Sequence, residues 1–346
     1  MVEPQRPAVC PDCDSTPALT RRQVLQVAGG VAVAAVTAGL PIVVRPRPTV
    51  AAPRPTSKSE TLVAQLYSSL TEEQKRMICF PFDHALRGEV DNNWYITRAR
   101  VGQHFNADQQ ALIAEIFQKL HNPDFVERRM KQIHEDTNGR GLAATSIAIF
   151  GEPGSGKFEF VLTGRHCTVR CDGDSVEGAA FGGPIFYGHA SISGFNETKD
   201  HPGNVYWYQA LRANEVFRAL DGRQRAQALI SGPVPPEIRT DTVKLRGRNG
   251  NFPGIPVRTM TRDQRELVKK VLADLLLPFR SEDVEEAMRH IEANGGIESL
   301  HMAFYSSEDI GNDQVWDVWR LEGPTMVWYF RGSPHVHTWV NIRASA

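Results

Sequence analysis

Neither sign of charge is in surplus. Lys and Arg number 39 and Asp and Glu 40, for a net charge of −1. The chain therefore has no basic footprint with which to hold nucleic acid, and it carries no long block of like charge. Cysteine is scarce, at five in 346 residues, which excludes a disulfide scaffold. Cys10 and Cys13 form a single CxxC, with no second pair to complete a four-ligand zinc site. Cys167 and Cys171 stand four apart in one apparent strand, about 13 Å at strand rise, too far for a bridge. The motifs G-x-S-x-G, H-E-x-x-H and G-x-G-x-x-G are all missing. The nucleophile elbow, the zincin helix and the dinucleotide turn go with them.

One motif is nearly present. FGEPGSGKF (150–158) supplies Gly151, Gly156 and Lys157 of a phosphate-binding loop, but Phe158 stands where Ser or Thr should hold magnesium. A phosphate loop must also open a helix. Instead, KFEFVL alternates with a period of two, and EPGSG is dense in turn formers. The stretch reads as strand, turn, strand, and no nucleotide is expected at 151–158.

The N-terminus reads as a twin-arginine (Tat) export signal over residues 1–52. Thr20, Arg21, Arg22 and Leu25 fit the S/T-R-R-x-x-L pattern, and Val24 to Val44 carries no charge and is rich in Ala, Gly and Val. The Tat machinery is the partner this implies, and the compartment is periplasmic or extracellular. An uncleaved signal would leave the chain membrane-anchored, since the uncharged run is long enough to span. Small residues suited to cleavage lie near Val50-Ala51-Ala52. Residues 53–59 then read as a Pro-rich tether, and 60–346 as a single domain.

Within that domain, Thr71, Asn106, Asp221 and Thr261 each precede Gln by three positions (Gln74, Gln109, Gln224 and Gln264). This is the capping-box pattern of a helix start. Irregular intervals between the four favour independent helix starts over an internal duplication. Apolar spacing of three and four follows in ALIAEIFQKL (111–120) and ELVKKVLADLLL (266–277), with similar patterns at 212–220 and 284–293. Strand-like runs cluster in two regions. SIAIF, FEFVL, HCTVRC and SVEGAAF occupy 145–182, and QVWDVWRL, TMVWYF and HVHTWVNI occupy 314–342. The expected class is α+β, with two antiparallel β meanders flanked by capped helices. Residues 239–258 read as a long polar loop.

Histidine placement carries the chemistry. His335 and His337 occupy positions i and i+2 of the last strand, on one face and about 6.5 Å apart, close enough to chelate one ion. His166 opens a strand of the other meander. His189 lies among Gly182, Gly183 and Gly188, glycines that suit a tight turn or a close backbone approach, and His201 lies nearby. The candidate metal ligands are His166, His335 and His337, with His189 or His201 as a fourth. The ions that suit them are zinc and copper. Histidines at 84, 104, 121, 134, 290 and 301 fall in helical or turn contexts and receive no role.

These pieces, in order, resemble a known family. LTEEQ (70–74), PFD (81–83), NNWY (92–95), the FGEP turn, LHMAF (300–304) and the terminal GPTMVWYF and HVHTW are similar to the bacterial exported proteins grouped as the domain-of-unknown-function family numbered 3500. The resemblance spans nearly all of residues 60–342. It implies the hairpin reading of 150–158 and singles out His166, His335 and His337. This chain departs from the family at Arg165, where the family has a first histidine, and at Gly188-His189. The resemblance implies no reaction. Two functions follow as expectations: an exported, His-ligated metalloprotein of redox or hydrolytic type, or a non-enzymatic exported binding or surface protein whose histidines tie strands together.

The export reading has a direct test. Replacing Arg21 and Arg22 by Lys is expected to stop translocation, because the machinery reads the paired guanidinium groups as an address. Normal export of the Lys-Lys form, seen by fractionation, would remove the assignment.

Overall fold

The computed structural model describes residues 52–190, 204–307, 309 and 312–346. Arg21, Arg22 and His201 lie outside the described residues. In the first half of the chain, helix α1 (Lys58–Ser69) leads through Leu70 into α2 (Glu72–Ile78) and strand β1 (Cys79–Phe80). Helices α3 (Val101–His104), α4 (Ala107–Lys119) and α5 (Val126–Asp136) follow. Strands β2 (Ser146–Gly151), β3 (Phe158–Gly164), β4 (Cys167–Cys171) and β5 (Ile185–His189) complete this half. In the second half come α6 (Trp207–Ala219), α7 (Gly222–Ala228), β6 (Leu229–Ile230) and β7 (Ile255–Pro256). They are followed by α8 (Arg262–Leu276), α9 (Ser281–Ala293), β8 (His301–Tyr305), β9 (Val318–Gly323), β10 (Met326–Arg331) and β11 (Val336–Ile342). The class is α+β, as the sequence indicates. Of the stretch 53–59, Lys58 and Ser59 already lie in α1, and Pro53 is buried. No helix among the described residues is long and apolar enough to cross a membrane.

All four capping boxes form, with side chain and backbone satisfying each other at both positions. They are not independent. The amides of Gln74 and Gln109 exchange hydrogen bonds of 2.8 and 3.0 Å, and those of Gln224 and Gln264 do the same at 3.0 and 2.8 Å. In each half the box of a short helix is thereby clamped to the box of a long one.

The sheet repeats the same relation. Its strand order is β1-β2-β3-β4-β5-β11-β10-β9-β8-β6, with β7 pairing β8 off that path. The first half of the list maps onto the second, read from the other end, and the register maps as well. Cys79 pairs Ile149 in parallel, as Leu229 pairs Phe304. Ser146 faces Thr163 as His301 faces Glu322. Gly164 and Cys167 close one two-residue turn as Gly323 and Met326 close the other. Cys167 faces Tyr187 as Met326 faces Ile342. A pseudo-twofold axis therefore passes through the antiparallel β5–β11 seam at the pair Ile185–Val340. The chain is an internal duplication, which corrects the reading of four unrelated helix starts. The intervals look irregular because each half contributes two boxes, 35 apart in one and 40 in the other.

Both halves bury the sheet alike. On one face, α1 and α4 pack together over Ile147, Ile149, Phe158, Phe160 and Leu162. In the second half, α6 and α8 cover Met302, Phe304, Trp319, Leu321, Trp328 and Phe330. Residues of alternate parity point to the other face. They form smaller clusters, Ala148, Phe150 and Val161 in one half and Ala303, Val318, Val327, Tyr329 and Trp339 in the other, and irregular chain covers them. Part of that cover is the 239–258 stretch, which contains a 3₁₀ turn (Arg239–Val243) and β7. A buried ion cluster joins the halves: Arg280 meets Glu60 of α1 at 2.8 Å and Asp283 of α9 at 3.0 Å.

FGEPGSGKF is a hairpin connection. Gly151 pairs with Phe158, at φ 74°, and a Cβ at Gly151 would lie 2.1 Å from the Lys157 carbonyl oxygen. Phe158 is buried in the core. The meanders differ from expectation in two places. SVEGAAF forms no strand. The Asp172 carboxylate accepts from the Val176 N–H at 2.8 Å, Phe181 sits at φ 60°, and Gly178, Gly182 and Gly183 all have positive φ, so the chain turns and the fourth strand is β5. In QVWDVWRL the strand starts only at Val318, because Asn214 of α6 accepts the Trp316 N–H at 2.8 Å.

The amide clamps can be tested. Gln109→Ala is expected to lower the unfolding free energy by about 1–3 kcal/mol, because it strands the Gln74 amide, the Ser69 carbonyl and the Asn106 N–H. Gln264→Ala should cost a similar amount, as it strands the Gln224 amide, the Ala219 carbonyl and the Thr261 N–H. Urea denaturation measures both.

Candidate metal centre

His166 occupies the two-residue turn Arg165–His166 between β3 and β4. It lies in the left-handed region, at φ 52°, and its N–H donates to the Asn92 carbonyl at 2.9 Å. His337 sits in β11 opposite Gly188 of β5, and His335 lies in the bend just before β11. A Cβ at Gly188 would fall 2.1 Å from the Val336 carbonyl oxygen, so only glycine lets β5 approach the His335–His337 segment this closely. Extending the Cys167–Tyr187 pairing puts His166 level with Gly188, and so with His337 across β5.

Three ring nitrogens meet there. His335 Nε2 and His337 Nε2 are 2.9 Å apart, and His166 Nε2 and His337 Nε2 are 3.2 Å apart. The three ligand atoms all lie within 4.8 Å of one another. Burial is nearly complete: His166, His335 and His337 are 4 %, 7 % and 9 % exposed. The Phe186 ring closes one side, with its centroid 5.3 Å from His337 and 6.3 Å from His166.

Behind two of the rings stand carboxylates. Asp136, the last residue of α5, is 3.2 Å from His166 Nδ1 through Oδ2. Glu237 accepts from His337 Nδ1 at 2.8 and 2.9 Å, from Trp339 Nε1 at 2.6 Å and from Arg331 Nη1 at 3.2 Å. Burial opposes ionisation of both acids. Hydrogen bonds from His166 and His189 nevertheless hold Asp136 below the usual carboxylate range, and those of His337 and Trp339, with the charge of Arg331, do the same for Glu237. An ionised carboxylate only accepts, so each ring carries a proton on Nδ1, and in its neutral form turns a bare Nε2 lone pair toward the cluster. Burial foremost lowers the His166 pKa to about 4, against the pull of Asp136 and with help from the charges of His337 and Arg165.

His189 lies outside the convergent three. Its Nδ1 is 3.0 Å from Asp136 Oδ1, and the Ala190 N–H donates to the same oxygen at 3.0 Å. It therefore supports the carboxylate that supports His166. A further buried chain backs Asp136, which accepts from the Gln132 amide; Gln132 in turn accepts from Arg129. Arg129 also donates to the Tyr206 hydroxyl at 2.7 Å and to His121 Nε2 at 3.3 Å.

Asp136 and Glu237 are not apparent from motif reading. Asp136 does leave one trace: an acid in the last turn of a helix opposes the macrodipole, and such a placement calls for a compensating partner. Glu237 stands in an irregular Pro-rich stretch with no pattern to single it out.

An α+β sheet with a buried, carboxylate-backed histidine cluster at its internal seam defines the class of this protein. The chain belongs to the family described as protein of unknown function (DUF3500), whose match covers residues 52–343. No curated protein and no solved structure matches it.

The tautomers are measurable. In ¹⁵N-resolved NMR of metal-free protein at neutral pH, His166 and His337 are expected as Nδ1–H tautomers. The His166 shift also fixes the sign of a pH effect. The unfolded chain takes up that proton near pH 6.5 and the folded one only near 4. Its contribution is thus intact above 6.5 and declines as pH falls from 6.5 to 4. An Nε2–H tautomer at either ring would contradict the geometry.

Proposed function

We propose that this protein is an exported metalloprotein in which His166, His335 and His337 hold a first-row transition ion, zinc in the first instance, through Nε2. One observation carries the reading. Two imidazoles whose Nδ1–H groups are committed to carboxylates bring bare lone pairs to 3.2 Å from each other, inside the protein. With both rings neutral, neither can donate to the other, and a cation between them would relieve the repulsion of the two lone pairs.

The dimensions suit the ion. Zn–N bonds of about 2.0–2.1 Å in a tetrahedron set nitrogens about 3.3 Å apart, close to the 3.2 and 2.9 Å found here. Carboxylate–histidine pairs behind metal ligands orient the ring and raise its basicity. Three protein ligands with the fourth position left to water is the arrangement of catalytic zinc, in which bound water is acidified toward neutrality. This supports hydrolytic chemistry; copper in the same ligands would support redox chemistry. The Arg21–Arg22 signal accords with either, because the Tat route carries folded proteins already loaded with cofactor.

Elemental analysis of protein recovered from the exported fraction, with no metal added, is expected to give about one ion per chain. His166→Ala, His335→Ala and His337→Ala should each lose the ion with little change in the urea midpoint. Glu237→Gln should weaken binding about 10–100-fold in chelator competition. Wild-type protein without metal, together with destabilised alanine variants, would assign the histidines to strand tying instead.

A further inference from the structure

We propose that the loaded centre binds a small oxyanion, a carboxylate or a phosphate, held between the open metal position and the guanidinium of Arg165. This rests on the metal reading above and adds the chemical class of the ligand.

Among the described residues, the two acids behind the cluster are both shared with other groups. Glu237 pairs with Arg331, and Asp136 is joined to Arg129 through Gln132. The three ligands are neutral imidazoles. A divalent ion therefore brings two positive charges that meet carboxylates only through the rings, with Arg331 already on Glu237. Its surroundings are nearly dry, and uncompensated charge in such a medium is costly. Hydroxide or an oxyanion relieves it.

Arg165 selects between these. It directly precedes His166 in the two-residue turn and is half-buried. Its Nε is fully buried with no hydrogen-bond partner, and among the described residues it makes no ion pair. The other arginines at this end, Arg129 and Arg331, are committed to acceptors. A buried N–H left without an acceptor costs free energy. A guanidinium presents its donors as a planar fork that matches two oxygens of a carboxylate or phosphate. Small size follows from burial, since His166, His335 and His337 are all under a tenth exposed and Phe186 walls the cluster.

Cobalt(II) provides the readout, because its visible bands report the ligands around the ion. Full-length protein loaded with cobalt is titrated with acetate and with inorganic phosphate at fixed ionic strength. A saturable band shift with at least one is expected, and the anion that saturates at the lower concentration assigns the class. Arg165→Gln should weaken that anion about tenfold or more, while cobalt affinity stays within about threefold; Arg165→Lys, which keeps the charge and loses the fork, should fall between. Bands indifferent to both anions, or equal anion affinity in wild type, Arg165→Gln and Arg165→Lys, would overturn the proposal. Failure of the wild type to bind cobalt at all would instead overturn the metal reading, before any anion is added.

Discussion

The antiparallel contact between β5 and β11 is the constraint on which the rest of the molecule depends. Each half-sheet ends on the outside in a strand of two residues, β1 or β6. Such stubs leave little edge to template another chain. Inside, the halves meet along the pairs from Val336–His189 to Val340–Ile185. The seam brings the ends of β5 and β11 together with the β3–β4 turn, and it is tightest where Gly188 passes the Val336 carbonyl. A side chain at 188 would push β11 outward and carry His335 and His337 away from His166. The two-layer packing could survive that shift, but the convergence of the three imidazoles could not.

Local rules that run against the fold concentrate at this end of the seam. His166 adopts a left-handed conformation that a non-glycine residue enters at a cost. Asp136 places a negative charge at the wrong end of a helix dipole. Arg129, His121 and Gln132 are buried together, with polar groups satisfied mainly by one another. A hydrophobic arrangement of similar volume would serve stability at least as well. What the polar one adds is orientation: the carboxylates hold two rings in one tautomer and direct their lone pairs to a common point.

Much of this was legible in the residues, for reasons that separate local from non-local information. A capping box is written within four positions, so all four were readable at Thr71, Asn106, Asp221 and Thr261. His337 falls in β11 as strand periodicity indicates, whereas His335 lies in the bend before it. The hairpin at 150–158 was clear because Phe158 and Phe160 alternate with charged neighbours. The fourth strand was misplaced because SVEGAAF has strand-like letters, while the deciding contact, Asp172 to the Val176 N–H, is a side-chain bond. Asp136 and Glu237 reach the cluster from a helix end and an irregular loop, with sequence separations of 30 and 100 to the rings they hold. No short-range pattern encodes such meetings. The duplication escaped for a related reason: it is preserved in register and amide pairing, while the residue identities have diverged.

The twofold relation holds for the paired strands and lapses at the histidine cluster. Following the register, the positions equivalent to His166, His335 and His337 are Thr325, Ala180 and Gly182 at the opposite end of the same seam. There the Arg343 N–H donates to the Thr325 carbonyl at 2.9 Å, Ala179 bridges to Arg343, and the Ala180–Gly182 turn lies buried. The backbone there follows a different path: Thr325 lacks the left-handed conformation of His166, and Gly182, at φ 74°, lies in a 3₁₀ turn where His337 lies in a strand. The three histidines thus stand where the two halves depart from each other, in backbone as well as in residue type.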